Sequence, residues 1–157
     1  MTLIPDTVDE PHETVVLTLS NPTKVALGTP EVTTLTLTDN DTAGRVQFGA
    51  ADYSVGEGGG TAPITVTRSG GTSSQASVDY AASDGGATST PPNPDYSATG
   101  GTLSFGLGET TKTFTIPITD DAIVEGNETI VLTLSNPAGG LALGPQAAAT
   151  LWIVADD

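Results

Sequence analysis

The sequence predicts an all-β fold: a Greek-key β-sandwich of roughly seven or eight strands, with an extra N-terminal β-hairpin in front of it. Two observations carry this expectation. From Arg45 onward, apolar and polar residues alternate in runs of strand length separated by Gly, Pro, Asn and Asp. One stretch also occurs twice: Glu13 to Pro22 reads ETVVLTLSNP and Glu128 to Pro137 reads ETIVLTLSNP. Each copy leads into an Ala-Leu-Gly step, a Thr- and Leu-rich run and an acidic stop, at Asp39-Asn40-Asp41 or Asp156-Asp157. The copies stand 115 residues apart, too far for a solenoid turn and about right for one sandwich domain, so the chain reads as cut from a tandem array.

Residues 3–41 match only the last third of the whole module, its final pair of strands. We therefore expect residues 1–42 to be the C-terminal hairpin of a preceding or swapped repeat, and residues 45–157 to be one complete domain. A lone hairpin is marginal in water and needs a partner. Three are open: an upstream half outside the fragment, the body of its own neighbour, or another copy of the chain. Two near-identical hairpins for one body favour exchange and head-to-tail assembly.

Within the complete module, Val46 and Phe48 open the set of strands, followed by Tyr53 and Val55, Ile64 and Val66, and Val78 and Tyr80. Leu103 and Phe105 come next, then Phe114, Ile116 and Ile118, then Ile130, Leu132 and Leu134, and last Leu151 and Ile153. Period-two alternation buries one face of each strand and wets the other. No stretch places apolar residues at helical spacing over three turns, so almost no helix is expected. The longest loop runs from Asp84 to Gly101, flexible unless something pins it, with Asp95 and Tyr96 the candidates for the pin.

Four basic against 19 acidic residues give a formal charge of −15, which excludes a nucleic-acid partner, because phosphate contacts need clustered Lys and Arg. With no cysteine there is neither a disulfide framework nor a thiolate metal site. No segment approaches the roughly 20 apolar residues of a membrane span. Met1 to Asp6 lacks the basic start and apolar stretch of a signal peptide, so the signal of a secreted parent would lie outside this fragment.

No enzyme is expected. His12 is the lone histidine, beside Glu10 and Glu13, with no orienting partner and nucleophile. No G-x-S-x-G elbow occurs. The pair Asp120-Asp121 would need a sugar cleft to act as a glycosidase, and the single Trp152 with few other aromatics gives no sugar platform. Trp152 lies on the opposite face of its strand from Leu151 and Ile153, a place for an exposed, interface-covering or packed structural residue. Asn127-Glu128-Thr129 fits a glycosylation sequon, a pattern short enough to arise by chance.

The acids are informative by position. Glu57 lies in the turn SVGEGGG, Asp84 in the SDGGA turn, and Asp120 and Asp121 directly after FTIPI. Glu125 and Glu128 precede the LTLSNP strand, and Asp156 and Asp157 follow the last strand. Alternate strand ends of a Greek-key sandwich meet at the same pole, which would let all eight converge at one rim. Carboxylates so gathered repel one another unless cations compensate. Ca2+ suits such a set, since it takes six to eight oxygens at about 2.3–2.6 Å in irregular geometry. Magnesium prefers stricter octahedral sites, and zinc or copper would want Cys or clustered His. The alternative is that each acid is a solvated loop residue that protects an edge strand.

The chain resembles the Calx-β domain family, the module of the sodium-calcium exchanger's regulatory loop and of many bacterial and animal surface proteins. The resemblance is carried by VQFGAADYSVGEGGG (Val46 to Gly60), SVDYAASDGGAT (Ser77 to Thr88), PDYSATGGTLSFGLGE (Pro94 to Glu109), ITDDAIVEGNETIVLTLSNP (Ile118 to Pro137) and the closing Asp156-Asp157. It implies an immunoglobulin-like sandwich that binds several calcium ions at one pole, with Glu57, Asp84, Asp120, Asp121, Glu125, Glu128, Asp156 and Asp157 as ligands by matching position. The family's strongest binders end in three consecutive aspartates, and Ala155 replaces the first, which implies fewer or weaker ions. In the N-terminal piece Asp6, Glu10, Glu13, Asp39 and Asp41 match the same pattern, with Pro5 and Asn40 replacing two of its aspartates. The expected function is a calcium-binding structural or adhesion module of a tandem-repeat secreted or cell-surface protein, with Ca2+ rigidifying loops and junctions between neighbouring repeats. The alternative is a subunit that self-assembles by exchanging its N-terminal hairpin, with calcium secondary.

Overall fold

In the computed structural model, which describes residues 3–4 and 9–156, the chain divides into two compact units, 1–41 and 42–157. In the first unit, β1 (Glu13–Thr18) and β2 (Val32–Leu37) form an antiparallel pair in which Glu13 faces Leu37, Val15 faces Leu35 and Leu17 faces Thr33. Leu17, Leu19 and Leu35 on this hairpin are exposed.

The second unit is a two-sheet sandwich built from β3 (Arg45–Phe48), β4 (Asp52–Gly56), β5 (Thr61–Ser69), β6 (Ala76–Asp84), β7 (Gly100–Phe105), β8 (Thr111–Pro117), β9 (Glu128–Ala138), β10 (Ala142–Leu143) and β11 (Ala148–Val154). One sheet has the order β10-β3-β5-β8 and the other β4-β11-β9-β6-β7. Each of the eight alternating runs found in the sequence is a strand. The ninth, β10, is two residues long and pairs in parallel with β3, too short to alternate. Among the chain's changes of sheet, those from β3 to β4 and from β10 to β11 run side by side, because β10 pairs in parallel with β3 and β11 with β4. Tyr53 fixes the first crossing: its hydroxyl donates to the Thr65 carbonyl (2.8 Å) and accepts from the Ala50 amide (3.2 Å).

The register of β9 with β11 sets Glu128 against Ile153, Ile130 against Leu151 and Leu132 against Ala149, the same pairing that β1 and β2 make in the repeated sequence. Here the inward residues Ile130, Leu132, Leu134, Leu151 and Ile153 are buried with Val46, Phe48, Ile64, Val66, Val78, Phe105 and Ile116 in one core. Tyr80 stacks on Phe114 across the layers, with ring centroids 4.0 Å apart. On the outer face Trp152 is 42% exposed, and its indole Nε1 points to Asp52 Oδ1 at 3.5 Å.

The pairing of β5 with β8 runs from Thr61 opposite Pro117 to Thr67 opposite Thr111, which fixes two poles. At the second pole the inward alternation of β5 ends not on an aliphatic side chain but on Arg68, which is 2% exposed. Its guanidinium donates to the carbonyls of Ala43 and Ser74 at 2.8 Å, Gly71 at 3.2 Å and Gly106 at 3.4 Å, stapling three loops. Gly44, next to this staple, has a φ of +82° and sits where a Cβ would overlap the carbonyl oxygens of Ser69 and Gly71, so both its conformation and its space require glycine.

Candidate metal centre

At the first pole the strand ends deliver acids from several directions. Glu57 opens a 3-10 turn (Glu57–Gly59) between β4 and β5 and is buried, 6% exposed. Asp120 and Asp121 follow β8, Glu125 and Glu128 lead into β9, and Asp156 follows β11, which the Glu128–Ile153 pairing brings alongside. Gly58 makes room between them: a Cβ there would lie 3.1 Å from Asp156 Oδ2 and 3.9 Å from Asp120 Oδ2. Asp121 shapes its own segment, with Oδ1 accepting from the Ile123 amide at 2.7 Å.

The densest cluster includes a residue outside the sequence-derived set. One carboxylate oxygen from each of Asp95, Glu125 and Glu128 lies within 4.8 Å of the others. Asp95 arrives from the long loop between β6 and β7, which is tied down at several points. Its amide donates to the Thr88 carbonyl (2.8 Å), its carbonyl accepts from the Thr119 amide (2.8 Å), and its Oδ2 accepts from the Thr88 amide. Tyr96 pairs as a single antiparallel bridge with Ile118, and Gly86 and Ala87 donate to the Thr129 hydroxyl and carbonyl.

Burial, followed by the facing charge and hydrogen bond of Asp95 and then the charges of Glu125 and Glu57, pushes the Glu128 carboxyl up to about 7. The sandwich's basic side chains serve elsewhere: Arg45 donates to the Leu143 carbonyl, Arg68 is buried at the far pole, and Lys112 pairs with Glu109 at 2.8 Å. A crowd of hard oxygen donors on loops and at the start of β9, one of them holding a proton near neutrality, fits a hard divalent cation and calcium in particular.

The remaining expected ligands are placed as follows. Asp84, at the end of β6, is not brought into this cluster. Its Oδ1 accepts from the Tyr96 hydroxyl at 2.7 Å and from the Ser89 amide at 2.9 Å, bonds that hold its carboxyl below the usual range. Asp157 lies outside the described residues, as do Pro5 and Asp6 of the N-terminal pattern. The amide of Ala155 donates to Asn127 Oδ1 at 3.2 Å. Among the described residues, Glu10, Glu13, Asp39 and Asp41 form no such cluster. The Asp39 carboxylate instead accepts from the amides of Glu10 (3.0 Å) and Asp41 (3.2 Å), and the Asp39 amide donates to exposed His12.

The Calx-beta domain family matches residues 1–41 and again 39–157, and the chain belongs to that family. It is 34% identical over 113 residues to the sodium/calcium exchanger Calx of Drosophila melanogaster, a match covering 72% of this chain and 12% of the exchanger. Adhesion G-protein coupled receptor V1 of Danio rerio is 37% identical over 98 residues, covering 62% of this chain and 2% of the receptor. The chain thus spans a small part of the relatives it matches. Among solved structures, the apo-form Calx CBD1 domain superposes with a TM-score of 0.67 at 34% identity, covering 72% of this chain and 97% of that one. The calcium binding domain CBD12 of CALX1.1 gives a TM-score of 0.68, covering 72% of this chain and 46% of that one. Among the described residues no helix is long and apolar enough to cross a membrane.

Proposed function

We propose that this chain is a non-enzymatic calcium-binding structural module from a tandem-repeat secreted or cell-surface protein. The observation that carries the reading is the convergence of the Asp95, Glu125 and Glu128 carboxylates, with oxygens within 4.8 Å of one another. Glu57, Asp95, Glu125 and Glu128 would hold the first ion, with Asp120, Asp121 and Asp156 completing the acidic rim. The bound ions would lock the turns after β4, β8 and β11 to the β6–β7 loop and, in an array, stiffen the junctions between repeats. A relative solved as a calcium binding domain supports the ion, and a relative named as an adhesion receptor supports the adhesive setting.

The test is thermal unfolding of the whole chain in EGTA and across a calcium titration, with magnesium as control. With a dissociation constant near 0.1 mM and a hundredfold excess of calcium, linkage adds about 2.7 kcal/mol per independent site. A calcium-selective rise in Tm, reduced by Glu128→Gln or Asp121→Asn, is expected; an unchanged melt overturns the reading.

A second reading is favoured by the exposed Leu17, Leu19 and Leu35 of the hairpin, whose register repeats that of β9 and β11. In it the chain self-assembles by hairpin exchange, with calcium secondary. Sedimentation distinguishes the two: a mass that grows with concentration in EGTA supports exchange, and a monomer at all concentrations refutes it.

A further inference from the structure

Asp84 and Tyr96 sit at the acidic pole with no part in the cluster itself. Tyr96 follows Asp95 directly, and in extended chain successive side chains leave on opposite sides. The Tyr96 ring enters the core, 1% exposed, while Asp95 turns to Glu125 and Glu128 at the rim. The backbone around them is a short ladder: the Thr119 amide donates to the Asp95 carbonyl (2.8 Å) and the Ser97 amide to the Pro117 carbonyl (3.0 Å). What fixes the ring end of this lever is the 2.7 Å bond from the Tyr96 hydroxyl to Asp84 Oδ1, because a buried phenol needs an acceptor. The same Oδ1 takes the Ser89 amide at 2.9 Å, closing the loop that carries Asp95.

We propose that Asp84 is a positioning residue for the metal centre and not a ligand: it receives the buried Tyr96 hydroxyl and through Tyr96 holds Asp95 against Glu125 and Glu128. The inference rests on the calcium reading of that cluster. Its chemistry requires an acceptor at position 84, not a charge. Asparagine keeps the acceptor oxygen and loses the charge, alanine loses both, and Tyr96→Phe removes the donor from the other side.

The test compares Asp84→Asn, Asp84→Ala, Tyr96→Phe and the double variant Asp84→Ala/Tyr96→Phe in the full chain by two readouts. The first is calcium affinity by calorimetry. The second is hydrogen exchange in EGTA at the amides of Asp95, which donates to the Thr88 carbonyl, and Thr119, which donates to the Asp95 carbonyl. Asp84→Asn is expected to stay within about threefold of wild-type affinity, while Asp84→Ala and Tyr96→Phe each weaken it about tenfold and the double variant no further. In EGTA the two amides are expected to exchange about tenfold faster in Asp84→Ala and Tyr96→Phe and at the wild-type rate in Asp84→Asn. An affinity loss in Asp84→Asn as large as in Asp84→Ala would make the charge a ligand and overturn the proposal, as would unchanged exchange in Tyr96→Phe. Wild-type protein that binds no calcium refutes the metal reading instead, and the exchange readout still decides whether Asp84 holds Asp95 through Tyr96.

Discussion

Glu128→Gln should stabilise the calcium-free protein and weaken the calcium-bound one, an inversion that a merely structural glutamate would not produce. The folded Glu128 carboxyl titrates at about 7 against an ordinary value of 4.5. A raised folded value means that its contribution to stability is fully present below about pH 4.5 and is lost as pH rises through about 7. At about 1.4 kcal/mol per pH unit the ceiling is roughly 3 kcal/mol, and water reaching the partly exposed Glu128 screens it to about 1–2 kcal/mol. Glutamine carries no charge and keeps an N–H donor for Asp95, as the protonated acid does. In EGTA at pH 8 the variant should therefore melt about 5 °C above wild type, the difference opening between about pH 4.5 and 7 and constant beyond. In excess calcium the order should reverse, since wild type gains the linkage term and the variant loses a ligand. Scanning calorimetry at several pH values, with and without calcium, makes the comparison. A variant that melts below wild type in EGTA at pH 8 would refute the argument that burial and neighbouring carboxylates disfavour the Glu128 charge.

Two further outcomes follow from the same geometry. Calcium binding near pH 7 should release about half a proton from Glu128, read as a dependence of calorimetric heat on the buffer's ionisation enthalpy, and the release should fall towards zero by pH 8.5. Arg68→Met keeps most of the buried stem but strips donors from the carbonyls of Ala43, Gly71, Ser74 and Gly106, so Tm should drop by roughly 10 °C, or about 3 kcal/mol. Because Arg68 lies at the far pole, calcium affinity should stay within about twofold; a parallel loss of affinity would contradict the separation of the two ends.

The strands were legible in the sequence because each contributes one face to a single core, and burial of alternate residues leaves a period-two trace. What that trace lacks is sheet membership. Residues 45–56 read as two strands, yet their assignment to different sheets depends on the companion crossing from β10 to β11, a contact almost a hundred residues away. Arg68 breaks the rule in the other sense. It occupies an inward position of β5 as a cation, and only the convergence of three loops' carbonyls makes that burial tolerable. Ile118, read as the end of an alternating run, falls just past β8 and pairs with Tyr96, a partner that local pattern does not reveal.

The acidic pole divides along the same line. Reading acids at strand ends singles out Glu57, Asp120, Asp121, Glu125, Glu128 and Asp156, which lie at or next to strand ends of this pole because topology alone carries strand ends there. That criterion passes over Asp95, which lies in mid-loop and owes its place to the ladder with Thr119 and Thr88. The available signal was the Asp95-Tyr96 pair itself: an aromatic in a loop of Gly, Pro and Ser marks where the loop dips into the core, and its neighbour must then face the rim. Asp84 met the strand-end criterion, yet its Oδ1 is engaged by Tyr96 and Ser89. On the proposed reading the packed scaffold forces the carboxylates together before any ion arrives, and the Glu128 proton relieves part of their repulsion. Proton and cation then compete for one cage, so that occupancy, pH and stability at this pole become a single equilibrium.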